Sequence, residues 1–173
     1  GAFFSYLSGS SFIFQNIYAV SPQGYSMIFA VIGAGLLLSG GVPARLAGRV
    51  PDITMLKYSV LVPFIESALL LVGVCFEAPL AVIFILLFFT VVPLSVMGAA
   101  SFSLALSRQG RNAGSASALI GCFSMLLGAC MMPVVGIAGD HTALPMGIVM
   151  LSCYGLGTAV FYGMIAAEHR TMR

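Results

Sequence analysis

The chain has 173 residues, 60% hydrophobic and only 7% charged, with a net charge of +2 and a mean hydropathy of +1.10. A soluble domain carries roughly 25% charged residues, so this chain cannot clothe a water-facing surface and its solvent is the lipid bilayer. No GxxxxGKS/T loop, HExxH pair, metal-ligand cluster or Ser-His-Asp set occurs, which argues against an ATP-driven machine or an enzyme. No cofactor, metal or nucleic-acid partner is expected.

A membrane helix needs about 20 apolar residues. Six runs fit, at roughly 2–20, 24–43, 53–75, 79–106, 112–138 and 144–167. Together they predict an all-α membrane protein with a single six-helix transmembrane domain over 1–173. The chain begins with Gly rather than Met, which reads as a processed or excised piece.

The first run, "FSYLSGSSFIFQNIYAV", carries Ser8, Ser11, Gln15 and Tyr18 at spacings of 3, 4 and 3, which predicts one helical face. Asn16 lies beside Gln15. Such a stripe is costly against lipid and must meet protein or water. It is either the wall of a substrate cavity or hydrogen-bonding glue between helices. "SPQG" at 21–24 ends the run with a turn signal.

The second run closes in "GGVPARLAGRVPD", rich in Gly, Pro and charge. The third contains Glu66, the one acid well inside a span and near its middle. An intramembrane carboxyl is a functional candidate by default. It could couple proton movement or serve as a neutral hydrogen-bond donor. Pro63, Pro93 and Pro133 lie inside the third, fourth and fifth runs. Pro removes a backbone donor and kinks or breaks a helix. In the fifth run, Gly114, Gly121 and Gly128 recur among small residues at spacings that let helix backbones approach, and Pro133 follows. Tight packing is the expected role.

The four cysteines sit in apolar runs without a CxxC pair and read as small hydrophobes. His141 and His169 lie at span ends. Every Lys and Arg falls in alternate connections: Arg45, Arg49 and Lys57, then Arg108 and Arg111, then Arg170 and Arg173. The connections at 21–24, 76–79 and 139–143 have none. The positive-inside rule then puts both ends of the segment in the cytoplasm.

Two stretches, "SGSSFIFQNIYAVSPQ" and "NAGSASALIG", taken together resemble bacterial drug:proton antiporters of the major facilitator superfamily. The similarity is to the bicyclomycin and chloramphenicol resistance branch, over helices seven to twelve. It implies the C-terminal half of a proton-coupled multidrug exporter in a bacterial inner (plasma) membrane. Drug efflux, antibiotic resistance and alternating access come with it. The implied partners are lipid, a small-molecule substrate, protons, and an N-terminal half or a second copy of this half. The alternative is a six-helix module with no transport of its own. The resemblance also implies that Ser8, Ser11, Gln15, Asn16 and Tyr18 face the central cavity. Where the branch often has Gln, this chain has Ser124 as a further cavity candidate. Arg45 and Arg49 occupy the place of a cytoplasmic loop motif, and the third helix, with Glu66, would be peripheral.

Overall fold

The computed structural model describes residues 1–46, 48–107, 109–137 and 142–171. Arg108, His141, Arg173 and most of the connection at 139–142 lie outside them.

All the described elements are helical. Helix α1 spans Ala2–Phe12 and passes into a π-helical turn, Ile13–Ile17. Helix α2 spans Pro22–Gly40 and is followed by the short α3, Val42–Leu46. Helix α4 spans Asp52–Cys75, α5 spans Leu80–Val91 and α6 spans Pro93–Leu106. A 3-10 turn, Gly110–Asn112, leads into α7, Ala113–Gly136, and α8 spans Leu144–Thr171.

The starts follow local chemistry. Ser21 caps α2 by accepting from the Gly24 amide at 3.1 Å, and Pro22 takes the first helical position, where its missing N–H costs nothing. Pro51 and Pro79 immediately precede α4 and α5. Thr142 accepts from the Leu144 amide at 3.2 Å where α8 begins. Gly48, at φ +79°, supplies the left-handed residue between α3 and α4.

Among the described residues, five helical runs are long and apolar enough to cross a membrane: Pro22–Leu46, Asp52–Cys75, Leu80–Leu106, Ala113–Gly136 and Leu144–Ile165. The expected sixth, at 2–20, is not among them. Its α-helix is 11 residues long, about 16 Å at ~1.5 Å per residue, against a hydrocarbon core of roughly 30 Å. The π turn takes over just before Gln15 and Asn16 and ends the regular α geometry.

The three internal prolines differ in effect. Pro63 and Pro133 sit inside continuous helices, whereas before Pro93 the regular hydrogen-bond ladder is interrupted at Val92, which keeps helical dihedrals (φ −57°, ψ −40°), and the fourth run is described as α5 and α6.

Helix α4 packs against α5, α6 and α8, α1 packs on α7 and α8, and α2 packs on α5 and α6. The main core joins Tyr6, Phe14, Ile32, Leu70, Ile83, Leu87, Val91, Met150 and Tyr154, all buried. A smaller cluster of Leu56, Val60 and Ala100 closes the other end against Phe161. Two helices remain largely uncovered. In α2 only Ile32 is buried, and in α7 only Gly128 and Val135.

Candidate functional site

The polar stretch that opens the chain is folded in two parts. Through Phe12 it is α-helical. From Ile13 the hydrogen bonds lengthen: the Tyr18 amide donates to the Ile13 carbonyl at 3.1 Å, and the Val20 amide to the Phe14 carbonyl at 2.8 Å. A bond spanning five residues or more turns the chain less per residue than an α-helix does. The 3-4-3 spacing therefore no longer marks a single face.

Ser8 donates to the Met132 carbonyl of α7 at 3.4 Å, a contact between helices. Ser11 and Gln15 are half-buried, and Asn16 is exposed on the π turn. Tyr18 lies just past the turn, and its hydroxyl donates to the Ala78 carbonyl at 2.6 Å, in the connection between α4 and α5. The expected single stripe is corrected to three settings: Ser8 against α7, Ser11 with Gln15 and Asn16 around the bulge, and Tyr18 tied to a loop.

Ser124 is exposed on α7, away from any described hydrogen-bond partner. Glu66 is half-buried on α4, beside the buried Ser67, whose own hydroxyl turns back to the Phe64 carbonyl at 2.8 Å. Arg45, in α3, and Arg49, in the following link, are both exposed. The glycines of α7 separate clearly. A side chain at Gly128 would collide with the ring of Phe4, so α1 and α7 are in close contact there. Among the described residues nothing outside its own helix turn lies within 4 Å of a side chain added at Gly114 or Gly121, and Pro133 is exposed. Among the described residues no group of three His, Cys, Asp or Glu could hold a metal ion.

No family model and no solved structure matches the chain. Over 164 residues, 95% of its length, it is 35% identical to YdgK, an uncharacterized MFS-type transporter of Bacillus subtilis (strain 168). The chain spans 40% of that relative's length. The similarity supports membership of the MFS-type transporters. It also points to a transporter rather than an enzyme.

Several polar groups escape a reading by spacing. Ser5 and Ser10 are fully buried. Ser5 donates back to the Gly1 carbonyl at 2.8 Å, and Ser10 pairs with the Tyr25 hydroxyl of α2 at 3.0 Å. More consequential is the ring of hydroxyls about Pro93. Tyr154, on α8, donates to the Thr90 carbonyl at 2.7 Å. Ser39, on α2, donates to the Val92 carbonyl at 2.9 Å. A side chain at Gly35, one turn before Ser39, would come within 2.7 Å of Val92. The junction between α5 and α6 is thus gripped from two sides by neighbouring helices. Proline supplies no amide to the carbonyl four residues back, that of Phe89, and the two hydroxyls bond carbonyls on the same stretch, at Thr90 and Val92. The proline itself was the only sequence signal for this arrangement.

Proposed function

We propose that the chain is the C-terminal half of a proton-coupled secondary transporter of the bicyclomycin and chloramphenicol resistance branch. It would export small, partly apolar molecules across a bacterial inner membrane by alternating access. The observation that carries this reading is the identity shared with an MFS-type transporter over 95% of the chain. In this proposal residues 2–17 complete a six-helix domain with both ends in the cytoplasm.

The uncovered helices support a half that meets a partner. Met27, Leu37 and Leu38 on α2, and Phe123 and Leu126 on α7, are all exposed. Together with the open flank at Gly114 and Gly121 they form a surface for an N-terminal half. Ser11, Gln15, Asn16 and Ser124 are the proposed substrate contacts. Glu66 is the candidate of this half for proton coupling, and Arg45 and Arg49 would steady the cytoplasmic face near helix C-termini. The braced junction at Pro93 supplies a place for one half to bend as the site alternates.

Cells lacking their own exporters and expressing the complete protein are expected to accumulate less labelled chloramphenicol, and a protonophore should abolish the difference. Equal accumulation with and without the protein would refute the export reading. The topology has its own test. Single cysteines at positions 23 and 141 should label from the periplasm, and those at 47 and 109 from the cytoplasm. One side for all four, or the reverse pattern, would overturn it.

Gln15→Leu in the complete transporter should weaken chloramphenicol binding about threefold to tenfold, the worth of one hydrogen bond at ~0.5–1.5 kcal/mol. Its melting temperature should barely move, because the two side chains are similar in size. Early melting with normal binding would make Gln15 structural glue instead.

A further inference from the structure

At the end of the bundle away from Arg45 and Arg49, the turn after α1, the α4–α5 connection and the start of α8 come together. Between them lies a cleft of about 510 Å³, within the roughly 300–1,000 Å³ range of small-molecule sites. Its walls are chemically one-sided. Ile17, Val74 and Leu144 make an apolar lining, Glu77 supplies a carboxylate, and among the described residues none of the lining is basic. Tyr18 also lines the cleft, but its hydroxyl hydrogen is committed to the Ala78 carbonyl at 2.6 Å. What Tyr18 still offers is therefore its ring.

Glu77 is held on this wall by the backbone. It has φ +49°, a left-handed conformation that non-glycine residues rarely adopt. The Glu77 amide donates to the Val74 carbonyl at 3.3 Å, and the Ala78 amide to the Gly73 carbonyl at 2.9 Å, closing the end of α4. Ala19, next to Tyr18 in the chain, is also left-handed at φ 51°. The Tyr18–Ala78 bond ties these two turns together. The backbone that carries the carboxylate, and the Tyr18 ring, are thus fixed on a shared, part-apolar surface before any ligand arrives, which lowers the ordering cost of binding.

We propose that this cleft binds an organic monocation with apolar substituents, such as a quaternary ammonium ion. Glu77 supplies the counter-charge, the Tyr18 ring a cation–π face, and the aliphatic residues a seat for the substituents. Among the described lining residues, the one charge an anion would meet is the repelling carboxylate of Glu77. The chemistry of this site is independent of the export reading.

Cys75 lines the same cleft and is exposed, so it reports occupancy. The complete protein, with Cys122, Cys130 and Cys153 replaced by Ser, is labelled at Cys75 with a hydrophilic thiol reagent. Phenyltrimethylammonium should slow labelling in a saturable manner, and its neutral isostere tert-butylbenzene should not. Glu77→Gln should raise the half-protecting concentration about threefold to fivefold, the worth of a solvent-screened ion pair. Because Glu77 is exposed, this variant should fold, and an unchanged labelling rate without ligand verifies that it has. No protection, equal protection by the neutral isostere, or an unchanged half-protecting concentration in Glu77→Gln would each overturn the assignment.

Discussion

Phe14→Ala is expected to lower the stability of the complete protein by about 3 kcal/mol, at the near end of the ~3–5 kcal/mol range for emptying a buried phenylalanine site. Phe14 has 0% exposure and belongs to the main core. Its ring lies 6.2 Å from that of Tyr25, whose hydroxyl pairs with Ser10. Its carbonyl accepts from the Val20 amide at 2.8 Å as the π turn closes. One side chain thus fills the space where α1 ends and α2 begins. Removal leaves a cavity that the surrounding structure can collapse into only in part, since the bulge is fixed by backbone bonds on both sides. The comparison is Phe76→Ala, where the ring is 82% exposed and the expected change is within about 0.5 kcal/mol. Thermal melting in detergent separates the two. Equal melting temperatures would mean that Phe14 does not hold the turn.

Tyr154→Phe carries the second large effect, about 1–1.7 kcal/mol, and it acts on the α5–α6 junction in the fourth run. Tyr154 is 3% exposed, and its hydroxyl reaches the Thr90 carbonyl at 2.7 Å. Removing the hydroxyl leaves that buried carbonyl without this donor, a loss of ~1–3 kcal/mol in water-soluble cores. Hydrogen bonds between membrane helices average ~0.6 and reach ~1.7 kcal/mol, which sets the upper end used here. The same change releases one of the two grips on the α5–α6 junction. Amides just after Pro93, at Leu94 and Ser95, should then exchange hydrogen faster. Ser39→Ala should do less, since Ser39 is half-buried and also bonds the Leu36 carbonyl of its own helix at 3.1 Å. If both hydroxyls restrain one junction, the double variant will deviate from additivity by ~0.5 kcal/mol or more. Unchanged melting together with unchanged exchange at 94–95 would show that the junction holds without Tyr154.

The sequence by itself determined the medium and the punctuation. With 7% of residues charged, lipid was the one environment left. Ser21, Pro51 and Pro79 stand at helix starts because a cap or a missing amide is favourable only there. These are local effects, decided by a residue and its neighbours along the chain.

What only the tertiary structure decided was which surfaces turn inward. In a helix that is apolar all round, periodicity carries no contrast between core and lipid. Gly121 and Gly128 look alike in sequence, seven residues apart on one helix, yet only Gly128 lies under a ring, that of Phe4. Pro63, Pro93 and Pro133 look alike as well, yet only at Pro93 is the regular hydrogen-bond ladder interrupted, with hydroxyls from α2 and α8 bonding carbonyls at Val92 and Thr90. The stripe of Ser8, Ser11, Gln15 and Tyr18 assumed α-helical rotation to its end. The π turn and the Tyr18–Ala78 bond, between residues sixty positions apart, redirected it. Spacing along a chain fixes a face only while the helix keeps its pitch, and here the pitch depends on contacts that come from elsewhere in the fold.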